Sequence, residues 1–195
     1  MERGHFDTRR FERLNNPGRL EELRPLVLLR EVAGLAEGMT CVDLGSGTGV
    51  FALPMAEIVG AKGAVYAVDN SRDMLDYLVS VRPGPNLKVI QSEVSDTVLP
   101  SAIADVCLAA FVLHELPDPS AAVKEAFRLL KPGGRIVIVE WRLDSRIGPP
   151  ADVKIAPERA RDLLRTSGFE PHSDRNWSIN HYVIDGRKPS PHRAP

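Results

Sequence analysis

Three glycines at alternate positions, Gly45, Gly47 and Gly49, follow an apolar run at the start of residues 40–56. Glycine adopts backbone conformations that are closed to other residues, and it lets a ligand lie against bare main chain. Apolar residues recur at helical spacing after the last glycine, so the turn joins a buried strand to a helix and is not a hairpin. The sequence therefore predicts a ligand on this turn.

Acidic residues stand at or just beyond the ends of the next two apolar runs. Asp69 comes 24 residues after Gly45, a spacing at which a carboxylate accepts both hydroxyls of a ribose; its alternative role is to cap the next helix. Glu93 either reads an adenine edge or is a solvent-exposed loop acid. Met74 either covers a base or belongs to the core. An adenosine-containing ligand fits this set.

Two classes of adenosine-containing ligand compete for the turn. A nicotinamide dinucleotide needs a G-x-G-x-x-G cradle for its diphosphate, whereas this chain carries G-x-G-x-G. Asp43 stands two residues before Gly45, where its negative charge suits an ammonium or sulfonium ligand better than a diphosphate. The charge favours S-adenosylmethionine.

The elements that position these residues follow an alternating pattern. Short apolar runs alternate with amphipathic helices, which is typical of a doubly wound, Rossmann-like α/β sheet, mostly parallel with an antiparallel last strand. In such a sheet, ligands bind at the carboxyl ends of the strands. The predicted strands are 40–45, 64–68, 87–91, 105–110 and 135–140, and the predicted helices are 49–59, 71–81, 120–131 and about 157–167.

The chain length and composition predict one main domain. Residues 1–37 form a helical arm or a lid over a ligand, residues 38–186 form the sheet domain, and residues 187–195 form a disordered tail. A second subunit that completes an open pocket, as in a homodimer, is the alternative to a self-contained site.

Composition also bears on partners and location. The net charge of −1 gives no long-range field for nucleic acid or anionic lipid, so a small-molecule partner is expected. The absence of a signal pattern or a long apolar run predicts a cytoplasmic protein. Two cysteines, Cys41 and Cys107, lie in apolar strands and are expected to be core residues; two ligands alone make a poor metal site, and none is predicted.

The sequence resembles the class I S-adenosylmethionine-dependent methyltransferases over residues 38–142, and it is most similar to the quinone-biosynthesis and arsenite methyltransferases. The resemblance rests on several motifs in the right order: Val42–Gly49, Val68-Asp69, Ala104–Cys107, Val112–Glu115 and Leu129–Arg135. It disfavours nucleic-acid amine methylation, because Phe111–His114 replaces the acid or Asn followed by Pro-Pro-aromatic. Arsenite is also disfavoured, since both cysteines lie within core strands.

The resemblance implies a role for each candidate binding residue. The three glycines would hold the methionine part, Asp69 the ribose, Glu93 the adenine amino group, and the main chain at Phe111 the methionine amine. The expected cofactor-binding set is Asp43, Gly45, Ser46, Gly47, Gly49, Asp69, Asn70, Met74, Glu93 and Phe111.

A base is useful when a methyl acceptor is a hydroxyl or an acidic carbon, and His114, beside Glu115, is the candidate. The resemblance allows an alternative, in which this pair ties the loop to the N-terminal arm. Aromatic residues able to line an acceptor pocket are Phe6, Phe11, Trp141 and Trp177.

The expected function is methyl transfer from S-adenosylmethionine to a small-molecule acceptor. Two alternatives remain at this point: a noncatalytic S-adenosylmethionine-binding or partner protein, and a nicotinamide-dependent oxidoreductase.

Overall fold

A computed structural model describes residues 8–190, in which seven strands alternate with helices. The strands are β1 (Thr40–Leu44), β2 (Ala64–Asp69), β3 (Leu87–Gln91), β4 (Ala104–Ala110), β5 (Leu130–Trp141), β6 (Glu170–Asn176) and β7 (His181–Arg187). The helices are α1 (Thr8–Leu14), α2 (Pro17–Leu23), α3 (Pro25–Val27), α4 (Ala52–Val59), α5 (Arg72–Ser80), α6 (Pro119–Leu129) and α7 (Pro157–Thr166), with a π-helix at Leu28–Val32 and a 3₁₀ turn at Leu113–Glu115.

The strands form one sheet in the order β3-β2-β1-β4-β5-β7-β6. The first five strands are parallel, while β7 pairs antiparallel with both β5 and β6. The predicted doubly wound, mostly parallel sheet is confirmed, and its antiparallel end is a pair of strands. Chain order reverses between β1 and β4, so a crevice opens at their carboxyl ends, where open α/β sheets bind ligands.

Both faces of the sheet are covered by apolar side chains. Cys41 lies in the core on one face and Cys107 in the core on the other, so the two thiols of these adjacent strands cannot form a disulfide. Burial raises the pKa of Cys41 to about 12 and raises the pKa of Cys107 as well. Both cysteines therefore serve as packing residues, as the sequence predicts, and their thiols are poor nucleophiles.

Two helix predictions need correction. The helix predicted to reach Lys131 ends at Leu129, because the residue before Pro132 is restricted to extended conformations, and the chain enters β5 at Leu130. The helix predicted over residues 49–59 begins at Ala52, because the left-handed φ of +89° at Gly49 lies outside the helical range.

The ordered chain extends past the predicted start of the tail. Arg187 belongs to β7, and the Lys188 amide donates to the Gly134 carbonyl at 2.9 Å. The prediction of disorder is therefore wrong for these two residues, and residues 191–195 lie outside the described part. Between residues 8 and 190, no helix is both long enough and apolar enough to span a bilayer.

Candidate functional site

A cavity of about 240 Å³ lies at the carboxyl ends of β1, β2 and β4. Of the ten residues predicted to bind a cofactor, eight line it: Gly45, Ser46, Gly47, Asp69, Asn70, Met74, Glu93 and Phe111. Asp43 and Gly49 do not line it. Parallel strands bring these residues together because their carboxyl ends meet at one edge of the sheet.

The three glycines serve different purposes. All have positive φ, but a Cβ on Gly45 would lie 2.7 Å from Val112 Cγ2, and one on Gly49 would lie 2.5 Å from Leu78 Cδ1. A Cβ on Gly47 would meet only Leu14 Cδ1, at 3.9 Å. Packing therefore requires a glycine at the outer two positions, whereas Gly47 leaves its space to the cavity.

Asp69 at the end of β2 holds the glycine turn against the start of α5. Its Oδ2 accepts a 2.8 Å hydrogen bond from the Gly47 amide, and its Oδ1 accepts one of 2.8 Å from the Ser71 amide. Each carboxylate oxygen has two acceptor positions, so both oxygens retain one for a ligand hydroxyl. Ser71 is the N-cap of α5, so Asp69 is not needed for that role.

The far end of the cavity carries a polar pair. Asn70 Nδ2 lies 3.2 Å from both carboxylate oxygens of Glu93, and both residues are exposed. Met74, fully packed in the first turns of α5, forms the apolar wall beside them. A planar base with polar edges fits between such groups.

A second cavity, of about 760 Å³, adjoins the first. The two share one wall, formed by Arg13, Leu14, Arg19, Phe111 and Glu115. Because the same residues line both cavities, ligands in the two would lie side by side at these residues, which is the arrangement that a two-substrate transfer requires.

His114 lines the second cavity and is held by Glu140. Its Nδ1 lies 2.8 Å from Glu140 Oε2, and its amide donates to Glu140 Oε1 at 3.3 Å. The Glu140 side chain is fully buried. Burial opposes protonation of His114, but the hydrogen bond and charge of Glu140, helped by Glu115, outweigh it and raise the pKa of the imidazole above its usual value.

Comparison with known proteins identifies the chemistry. The profile of a family described as a methyltransferase domain matches residues 42–138, the segment from β1 into β5 that supplies most of the residues lining the first cavity. The chain belongs to the class I S-adenosylmethionine-dependent methyltransferases. Its cofactor is S-adenosylmethionine, and the nicotinamide alternative is not favoured.

The relatives of this methyltransferase include curated enzymes of quinone biosynthesis and a solved structure. A demethylmenaquinone methyltransferase of Geobacillus sp. is 32% identical over 57% of this chain and 49% of its own length, and a ubiquinone/menaquinone biosynthesis C-methyltransferase of Vibrio vulnificus is 31% identical over 57% and 44%. The chain thus spans about half the length of these curated relatives. A methyltransferase structure from Aquifex aeolicus is 29% identical, with a TM-score of 0.85 over 93% of this chain and 98% of its own.

The orphaned polar atoms of the methyltransferase site fit a cationic cofactor. Ser46 Oγ and Asp43 Oδ2 are buried without a protein hydrogen-bond partner among the described residues. Burial raises the pKa of Asp43 to about 7, and the nearby Asp69 carboxylate adds to this effect. A cation bound at the turn would favour the ionised form of Asp43, as an ammonium or sulfonium group does.

Phe111 joins the two cavities and has an unusual backbone. Its φ is +58°, a left-handed conformation that is uncommon for an aromatic residue, and its amide donates to the Val139 carbonyl at 2.8 Å. Only its main-chain carbonyl is therefore left for a ligand amine.

The arm contributes residues that the sequence analysis did not assign to the site. Arg13, Leu14 and Arg19 line both cavities, and the Arg19 guanidinium lies 5.1 Å from the centre of the Phe111 ring. No periodicity or motif marks these arginines, because their place depends on how the arm folds back over the sheet.

The aromatic residues that were predicted to line an acceptor pocket lie in different parts of the structure. Trp141 lines the second cavity; Phe11 instead stacks on Tyr77 at 5.0 Å, and Trp177 donates to the Leu23 carbonyl. Phe6 lies outside the described residues. His181, which the sequence analysis did not single out, lines the second cavity beside Trp141.

The different roles of the glycines give a prediction. In Gly47→Ala, the left-handed backbone costs about 1–2 kcal/mol of stability. The new methyl group enters cofactor space, so calorimetry should show S-adenosylhomocysteine affinity reduced about 10-fold or more. The matched control, Gly49→Ala, should lose more thermal stability, because its Cβ meets Leu78 in the core. Wild-type affinity in Gly47→Ala, with weakened binding in a stable Gly49→Ala, would contradict this assignment.

Proposed function

We propose that this methyltransferase transfers the methyl group of S-adenosylmethionine to a planar, hydroxylated small molecule bound in the second cavity, with His114 as general base. The observation that carries the proposal is the wall shared by the two cavities, centred on Phe111. The names of the curated relatives, which act in menaquinone and ubiquinone biosynthesis, support a ring of the quinone type as acceptor.

The chain's own residues supply binding, orientation and a base. Bound S-adenosylmethionine supplies a methyl group already activated by its sulfonium, so no covalent nucleophile is needed. Gly47, Asp69 and Glu93 hold the donor, and the arm residues Arg19 and Leu14 cover the junction and exclude water.

The acceptor needs an electron pair at the atom that is methylated. Since Glu140 binds Nδ1 of His114, Nε2 is the nitrogen available to take the proton of an acceptor hydroxyl. The released electron pair makes the oxygen, or the ring carbon next to it, nucleophilic. That atom would take the methyl group as the bond between the methyl carbon and sulfur breaks, and S-adenosylhomocysteine would be the product that leaves. After attack by a carbon, loss of its proton restores the ring.

An acceptor screen tests this proposal. Purified protein is incubated with methyl-labelled S-adenosylmethionine and a panel of hydroquinones, catechols, phenols, amines and thiols, and labelled product is separated and counted. The proposal expects product from the hydroxylated rings and little from amines or thiols. Tight S-adenosylhomocysteine binding without turnover on any class would instead favour the noncatalytic alternative.

A further inference from the structure

We infer that His181 recognises the acceptor: its Nε2 accepts a hydrogen bond from a hydroxyl group other than the one that His114 deprotonates. The inference rests on the proposed function, because it assigns the acceptor to the second cavity. It specifies the substrate class further, as a planar ring that carries two hydroxyl groups.

His181 lies in the wall of the second cavity, where the acceptor is proposed to bind. It begins β7 and pairs with Trp141 at the end of β5. Its ring centre lies 4.6 Å from that of Trp141 and 4.9 Å from that of Phe111, the residue at the junction of the two cavities. These three rings form one aromatic wall against which a planar acceptor can pack.

Hydrogen bonds on the other side of the ring determine which nitrogen carries the proton. Ser178 Oγ donates its only hydrogen to Glu22 Oε1 at 2.6 Å and accepts from the Asn180 and His181 amides at 3.1 Å, so it has no hydrogen to donate to His181 Nδ1, which lies 3.0 Å away. Glu22 Oε1 itself lies 3.4 Å from that nitrogen. Nδ1 is therefore the protonated nitrogen, and Nε2 of the neutral ring bears a free electron pair.

The ring stays neutral at physiological pH. Burial lowers the pKa of His181 to about 4, with a further contribution from the Arg19 charge, and together these outweigh the opposing effect of Glu22. A neutral imidazole of this tautomer accepts a hydrogen bond at Nε2 and cannot donate one. It selects a hydroxyl or N–H group and rejects an ether or carbonyl oxygen at the same place.

Nε2 has no protein partner in the part of the chain that the structure describes, although it is buried. Buried polar side-chain atoms are paired in the large majority of cases, so this atom is suited to a donor brought by a ligand. Nε2 is buried in this structure, so a bound hydroxyl reaches it only after neighbouring side chains move.

The arm takes part in this recognition through Glu22. The same Glu22 oxygen accepts from Asn180 Nδ2 at 2.9 Å, and the Trp177 indole donates to the Leu23 carbonyl at 2.6 Å. These bonds attach α2 to the turn between β6 and β7, so the arm orients the His181 ring. His181 is thus a specificity residue oriented from outside the sheet domain.

Calorimetry on the full chain saturated with S-adenosylhomocysteine tests the inference with a matched pair of probes. 1,4-Dihydroxynaphthalene carries two hydroxyls, and 4-methoxy-1-naphthol has one of them blocked as an ether. Wild-type protein should bind the first about 10-fold more tightly, as expected for one buried hydrogen bond. His181→Phe, which keeps an aromatic ring, should bind both equally, and His181→Gln, whose carbonyl can replace Nε2 as acceptor, should retain the preference.

Retained S-adenosylhomocysteine affinity in both variants shows that they are folded. A preference that survives in His181→Phe, or that is absent from the wild type, would overturn the inference. Methyl transfer is a separate readout: its failure would overturn the proposed function while the binding preference still reports on His181. Where turnover is present, His181→Phe should raise KM for the diol about 10-fold with little change in kcat.

Discussion

Replacing Asp69 with alanine should weaken S-adenosylhomocysteine binding by about 100-fold. Both carboxylate oxygens retain an acceptor position beyond their bonds to the Gly47 and Ser71 amides. A charge-assisted hydrogen bond to a ribose hydroxyl contributes about 1.5 kcal/mol, so two of them contribute about 3 kcal/mol. Since about 1.4 kcal/mol corresponds to a tenfold change in affinity, their loss corresponds to about 100-fold. The measurement is calorimetric titration of wild type and variant.

The hydrogen bonds that Asp69 makes within the protein determine which control variants are needed. Asp69→Ala also leaves the Gly47 and Ser71 amides without their acceptor, so a loss of thermal stability of about 1–3 kcal/mol accompanies the loss of binding. Asp69→Asn retains an oxygen and separates the two effects. Asp73→Ala, which removes an exposed carboxylate from the first turn of α5, should bind normally. Equal affinity in wild type and Asp69→Ala would refute the assignment of the ribose site.

Replacing His114 with glutamine should lower kcat by about 10²–10⁴, the usual contribution of a general base, and leave S-adenosylhomocysteine affinity within about twofold. His114 lines the second cavity and not the first, so the donor site is intact in the variant. Kinetics on a hydroxylated acceptor, with calorimetry in parallel, measures both quantities. A structural role for His114 would instead reduce stability and change both quantities together.

Glu140→Gln provides the pH test of the same pair. Glu140 raises the pKa of His114, and a base must be deprotonated to act, so wild-type activity should increase as pH passes upward through a value above 6.5. Removing the charge lowers this pKa, so the rise should move to lower pH. An unchanged pH profile would mean that His114 does not limit the reaction.

The sequence predicts the parallel part of the sheet well, including the edge strand β3, because its strands contain apolar runs, and those of β1, β4 and β5 are buried on both faces. It predicts the antiparallel edge poorly. β6 is almost wholly polar, since it is an edge strand with exposed side chains, and only its antiparallel pairing with β7 makes it a strand. The π-helix at Leu28–Val32 depends on packing of its buried side chains, which no helical period distinguishes from an α-helix.

The cofactor cavity could be predicted because its residues follow strands whose carboxyl ends must meet. The same rule would have paired Glu140 at the end of β5 with His114 after the neighbouring β4. Arg19 and His181 could not be found in this way, since the path of the arm and the register of β7 bring them to the cavity. Nor does the spacing of the glycines show that Gly49 serves packing while Gly47 faces the cavity.

The central claim is that donor and acceptor are in direct contact where the two cavities meet at Phe111. A crystal structure with S-adenosylhomocysteine tests it most directly. The account predicts ribose hydroxyls on Asp69, the adenine near Glu93, and the thioether sulfur at the shared wall, facing the cavity that contains His114 and His181. A sulfur atom directed away from that cavity, or a ligand bound elsewhere, would contradict it.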